Sequence, residues 1–146
     1  MISRRNIRVK VMQTLYASES ADPPVTVQQA LRTLDSHLEQ SRQLFTYLIY
    51  FLTEVARYAE TDARLRAAKH LPSQADLNVN IKLAGNELIW RTLEDPEYRK
   101  SLKDLKIELL LDHELVKKIY QKLAESPEYI SYIHIPSRDR RDEKKI

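Results

Sequence analysis

The chemistry this sequence offers is anion binding, and it is concentrated at the front of the chain. Arg4, Arg5, Arg8 and Lys10 fall within two helical turns, and Gln13 and Tyr16 follow them. Guanidinium groups at that density can hold phosphate oxygens through paired N–H donors. A tyrosine beyond them offers a ring on which an unpaired base can stack. The same charges also make an ordinary solvated helix face, and residue type alone leaves both readings open. Other chemistries have little to work with. His37, His70, His113 and His134 are scattered, and His113-Glu114 lacks the second histidine four residues on that a helical zinc site requires, so solvated or capping roles are expected for all four. The chain has no cysteine, hence no thiolate nucleophile and no disulfide framework. Its single glycine, Gly85, cannot supply a phosphate-cradling loop or a dinucleotide-binding turn. The carboxylates alternate with lysines and arginines along helix faces, where such pairs contribute little each. Neither an enzyme nor a bound cofactor or metal is expected. Tyr47, Tyr50, Tyr58, Tyr98, Tyr120, Tyr129 and Tyr132 mostly recur at helix-face spacing and are expected in core or rim packing.

The basic cluster needs a rigid element to present it, and the local pattern is that of a helix from Arg4 to Ser18 or Ser20. Ser3 is placed to cap it. Ile7, Val11 and Leu15, with Met12 beside them, give one apolar stripe for the core. Arg4, Arg5, Arg8 and Lys10 crowd the positive end of the helix dipole, at a cost of a few tenths of a kcal/mol per charge. Ala21-Asp22-Pro23-Pro24 ends the element. From the cap candidate Thr26 no Gly or Pro intervenes until Pro72. Leu31, Leu34, Leu38, Phe45, Leu48, Leu52, Val55 and Ala59 follow steps of three and four with Ser41 in the one polar slot, a heptad-like seam. The spacing predicts one very long helix from Thr26 to His70, or two meeting near Gln40-Ser41. The segment from Leu44 to Leu52 is apolar nearly all round and is expected to be surrounded by the chain's other helices; a homodimeric coiled coil is the alternative.

Leu71 to Asn80 reads as a loop. Asn80 is the cap candidate for a helix from Ile81 to about Leu93, with Gly85 inside it and Ile81, Ala84, Leu88 and Trp90 as packing residues. Asp95-Pro96-Glu97 starts a short helix to about Leu102 or beyond. Asp112 caps an amphipathic helix with Leu115, Val116, Ile119, Tyr120 and Leu123 inward and Lys117, Lys118 and Lys122 outward. Ser126-Pro127 stops it and opens a last turn or two anchored by Tyr129, Ile130 and Ile133. Residues 1–135 are thus expected to form a single all-α domain, a helical bundle built around one long helix. Residues 136–146 read as a charged tail or the start of a truncated further helix. The apolar run Leu44 to Leu52 is far shorter than the roughly 20 residues a bilayer span needs, and the basic N-terminus is followed by no apolar signal segment. A soluble cytoplasmic protein, with no membrane partner, is expected; the net charge of +3 permits nucleic-acid binding without demanding it.

The opening stretch from Arg4 to Tyr16 resembles the N-terminal signature of the NusB family of transcription antitermination factors. That signature has paired arginines, a third arginine three positions on, and a Gln-x-Leu-Tyr ending; Arg4, Arg5, Arg8, Gln13, Leu15 and Tyr16 fill those slots. Ile7-Arg8-Val9 replaces the family's frequent Ala-Arg-Glu. The long apolar helix and the loop from Leu71 to Asn78 look like the elongated Bacteroidetes-type members, of which this chain resembles the N-terminal portion. The resemblance implies an all-helical fold and an RNA-binding arginine patch, here Arg4, Arg5 and Arg8 with Lys10, Gln13 and Tyr16 as further contacts. It also implies single-stranded boxA-like RNA, the ribosomal protein NusE and the RNA polymerase elongation complex as partners. The family's Asn-Glu-Ala-Val-Glu-type helix and Phe-Val-Asn-Gly-type segment do not occur. A helical scaffold or dimerisation module working through the Leu31–Ala59 seam is the competing reading.

Overall fold

A computed structural model of the chain describes residues 3–136. Apart from Pro136, the charged segment 136–146 lies outside the described residues. These are all-α: α1 Arg4–Glu19, α2 Val27–Ala67, α3 Gln74–Leu77, α4 Glu87–Glu94, α5 Pro96–Asp104, a 3-10 turn Ile107–Leu110, α6 His113–Ala124 and α7 Pro127–His134.

Most boundaries follow from local side-chain chemistry. The Ser3 hydroxyl accepts the Asn6 N–H at 3.2 Å and starts α1. At the head of α2, Thr26 Oγ1 accepts the Gln29 N–H while Gln29 Oε1 accepts the Thr26 N–H, a reciprocal box that satisfies two orphan donors. The helix then runs unbroken through Gln40-Ser41 and stops at Ala67 rather than His70. Past Ala67, Pro72 disfavours helical backbone at Leu71, and the Lys69 ammonium turns away to Asp76 at 2.7 Å. The expected loop after it contains a short helix, α3, held by a Ser73–Asp76 capping box. Lys69 and then Ser73 hold the Asp76 carboxyl down at about 2. Asp95, Asp112 and Ser126 cap α5, α6 and α7, with proline at the first position of α5 and α7.

The expected helix Ile81–Leu93 is corrected. Asn80 does not cap it; its Oδ1 accepts the Lys82 N–H and its Nδ2 donates to Ile133 O. The cap is Asn86, which accepts the Leu88 N–H, so α4 begins at Glu87 and Gly85 lies in the turn before it. The turn wins over continued helix because it buries Lys82, Leu83, Ala84 and Asn86 and is tied to distant backbone.

Two compact units divide the chain between Tyr47 and Leu48, within α2. In the first, only Thr14 and Thr46 are buried among the described residues. Each hydroxyl donates to the carbonyl one turn back, Lys10 O and Arg42 O, both at 2.9 Å, which removes most of the penalty for burying it.

The second unit holds the apolar core. Val55, Ala59, Ala84, Val116 and Tyr120 form one cluster, and Ala56, Leu83, Tyr129 and Tyr132 another, with Leu123 and Ala124 packed against both. Small residues at 56 and 59 let α2 come close to its neighbours, and the tyrosines fill the space around them. Tyr120 stacks tilted on Tyr58 at 5.3 Å and edge-on to Tyr129 at 6.4 Å. Leu115, Ile119 and Ile130, expected inward, are 41%, 38% and 44% exposed; Tyr132 takes the anchoring place expected of Ile130. Lys82 is the unusual core member. Its ammonium donates to Tyr132 O at 3.0 Å and Ile135 O at 2.7 Å and sits 4.3 Å from the Tyr132 ring centre. With Asn80 on Ile133 O, it ties down the carbonyls at the end of α7, of which Tyr132 O also accepts the Ile135 N–H at 3.2 Å.

Candidate nucleic-acid interface

The buried side of α1 is centred on Thr14, with Val11 and Ser18 half-buried beside it, and not on the Ile7–Val11–Leu15 stripe. Leu15 is 61% exposed and Met12 72%. The correction has a local cause. Thr14 can be buried because its hydroxyl is satisfied inside the helix, and turning that position inward carries Leu15, 100° further on, outward.

The rotation decides what the basic cluster faces. Residues three and four apart are neighbours on a helix, so Arg5, Arg8, Met12 and Tyr16 form one ridge, and all four are exposed. Arg4 adjoins Arg8 on one flank. Gln13, also exposed, adjoins Tyr16 on the other. Lys10 is set apart: it is half-buried, one turn before Thr14, on the opposite side from Met12. The structure thus brings five of the six expected contact residues onto one exposed face and leaves Lys10 off it.

Two further features mark this face. Among the described residues no carboxylate pairs with Arg4, Arg5, Arg8 or Lys10, and no acidic residue precedes Glu19 in the sequence. Tyr16 is 76% exposed, the other seven tyrosines being buried or half-buried as their spacing implied. A ring held about two turns beyond the Arg8 guanidinium, on a rigid helix, can stack a base while the arginines hold phosphates further along the strand. The exposed apolar residues Met12, on the ridge, and Leu15 gave no signal in the sequence, since their pattern reads as core.

The α2 seam departs from expectation in the same direction. Leu31, Leu44 and Phe45 of the first unit are 55%, 59% and 49% exposed; Leu48 and Leu52 of the second are 48% and 64% exposed. Val55 and Ala59 are buried as expected. The central run is therefore not enclosed, and its inward side in the second unit carries Thr53 and half-buried Tyr50 instead.

Elsewhere the titratable groups serve the core. Burial pushes the Tyr98 phenol, beside Thr53, Tyr50 and Glu54, up to about 12, and raises Tyr120 and Tyr129 as well. A groove lined by Glu54, Arg57, Tyr58, Glu60, Thr61, Arg64, His113 and Val116 encloses about 290 Å³, but Arg57 is already paired with Glu54 at 2.8 Å and Arg64 Nε donates to Glu60 O. Among the described residues no group of three or more His, Asp or Glu side chains is placed to hold a metal ion, and no helix is long and apolar enough to cross a membrane. No family model, curated protein or solved structure matches the chain.

Proposed function

We propose that this chain is an RNA-binding regulator of transcription antitermination or termination, of the NusB type, in which α1 is the RNA contact. It binds and does not catalyse. On this reading it works in the cytoplasm with the ribosomal protein NusE and the RNA polymerase elongation complex, and its ligand is single-stranded boxA-like RNA. The observation that carries the proposal is the α1 ridge: Arg5, Arg8 and Tyr16 share one exposed face, with Arg4 and Gln13 alongside and no paired carboxylate among the described residues. The resemblance of the stretch from Arg4 to Tyr16 to the family's signature supports this reading, and the ridge offers it a physical means. Arginine contacts to phosphate set affinity, and a base stacked on Tyr16 adds a contribution independent of salt.

The test is a titration with single-stranded boxA-like RNA at low salt. Replacing Arg4, Arg5 and Arg8 together by alanine is expected to weaken binding about 100-fold, roughly 1 kcal/mol for each phosphate that an arginine no longer holds. Equal affinity in the two proteins would remove the assignment.

The exposed seam favours a second reading, self-association through α2. Sedimentation over a range of concentrations separates the two: a dimer that binds no RNA supports the scaffold, and a monomer that binds RNA supports the regulator.

A further inference from the structure

A second cationic feature lies on α5 in the second unit. Glu94, Pro96, Arg99, Lys100 and Lys103 line a surface cleft of about 390 Å³. Arg99 and Lys103 are one turn apart, and Lys100 lies beside them across Pro96, so three cations converge on one stripe of the helix. Like charges at that spacing repel. No carboxylate among the described residues pairs with any of the three. Glu97 and Asp104 lie on the neighbouring face of α5 and do not line the cleft, which leaves Glu94 as its only acid.

The cleft is also partly preorganised. Arg99 Nε donates to Leu93 O at 2.6 Å, capping a carbonyl in the last turn of α4. That bond fixes the guanidinium plane, while its two Nη groups make no hydrogen bond or ion pair with the described residues. An anchored guanidinium loses less freedom on binding than a free one, and its Nη edge matches the paired oxygens of a phosphate.

We propose that the α5 cleft is a second phosphate-binding site, which holds the backbone of single-stranded RNA through Arg99, Lys100 and Lys103. The proposal rests on the RNA reading of the protein and adds a contact outside α1. Contacts of this kind position a strand without reading its sequence, so the site takes any single-stranded RNA.

The experiment follows the affinity of the full chain for a single-stranded oligouridylate as salt is varied. Each phosphate neutralised on a single strand contributes about −0.7 to the slope of log K against log salt. Replacing Lys100 and Lys103 by glutamine, which leaves the Arg99 anchor intact, is expected to flatten the slope by about 1.4 units; adding Arg99→Gln brings the loss to about 2. An Arg4/Arg5/Arg8→Ala protein is measured in parallel. If the α5 variants keep the wild-type slope while the α1 variant loses affinity, the cleft is overturned and the α1 reading stands. Flattening in the α5 variants with an unaltered α1 variant supports the cleft and removes α1. A wild-type protein without affinity for the oligouridylate overturns the cleft, and the boxA-like titration then decides α1 separately.

Discussion

Tyr16 offers the sharpest separation of stacking from charge. Its ring is 76% exposed, so replacing it removes little packing and its effect on stability should stay within about 0.5 kcal/mol. A base stacked on an aromatic side chain contributes about 1–3 kcal/mol by alanine substitution. Tyr16→Ala should therefore weaken binding of single-stranded RNA about 5- to 150-fold. Tyr16→Phe keeps the ring and should stay within about threefold of wild type, since the hydroxyl has no partner among the described residues to lose. The ring carries no charge, so neither substitution should alter the salt slope, whereas loss of Arg5 or Arg8 should flatten it by about 0.7 each. Fluorescence anisotropy with a labelled RNA at several salt concentrations reads all of these. The reasoning fails if Tyr16→Phe loses as much as Tyr16→Ala, or if Tyr16→Ala binds as wild type.

Three other predictions concern the second unit. Lys82→Met keeps the aliphatic stem but leaves Tyr132 O and Ile135 O without the ammonium. Two charge-assisted bonds, less the desolvation penalty the ammonium no longer bears, come to a loss of about 2–3 kcal/mol. That should lower Tm by roughly 6–9 °C, and an unchanged melting curve would show the carbonyls rehydrated at no cost. Lys106 holds a left-handed backbone at φ 50° between α5 and the 3-10 turn. A side chain there costs about 1–2 kcal/mol, part of which glycine's extra unfolded freedom offsets. Lys106→Gly should stabilise by up to about 1 kcal/mol in urea denaturation, and marked destabilisation would contradict the strain. The phenols of Tyr98, Tyr120 and Tyr129 are raised by burial, Tyr98 to about 12. Their neutral forms stabilise the fold fully below the ordinary tyrosine value near 10, and that stability is lost as pH rises from there through the folded values. The urea midpoint should fall across pH 10 to 12, with a smaller fall in Tyr98→Phe; a flat profile would contradict the burial.

Local chemistry made most of the helix starts legible. Ser3, Thr26, Asp95, Asp112 and Ser126 all cap as their types and positions imply, because a cap needs only the next three residues. Asn80 and Asn86 show where that fails. Both are cap residues by type, and the choice between them is made by Tyr132 and Ile133, about fifty positions away. Lys82 reads as a surface lysine and is buried for the same long-range reason. The apolar patterns of α1 and of the centre of α2 mark residues suited to burial without saying which are covered; Leu15 and Leu52 are not. The residue types of the candidate interface were therefore readable, and the direction they face was not. That direction followed from one hydroxyl, on Thr14, turning inward.

Photo-crosslinking of the full chain to single-stranded boxA-like RNA, with the attached peptides identified by mass spectrometry, tests the central claim most directly. Tryptic cleavage after Lys10 and Arg32 isolates Tyr16 in one peptide, Val11–Arg32. The account predicts that this peptide carries RNA, with the adduct on Tyr16. Efficient crosslinking that leaves Val11–Arg32 unmodified would contradict it.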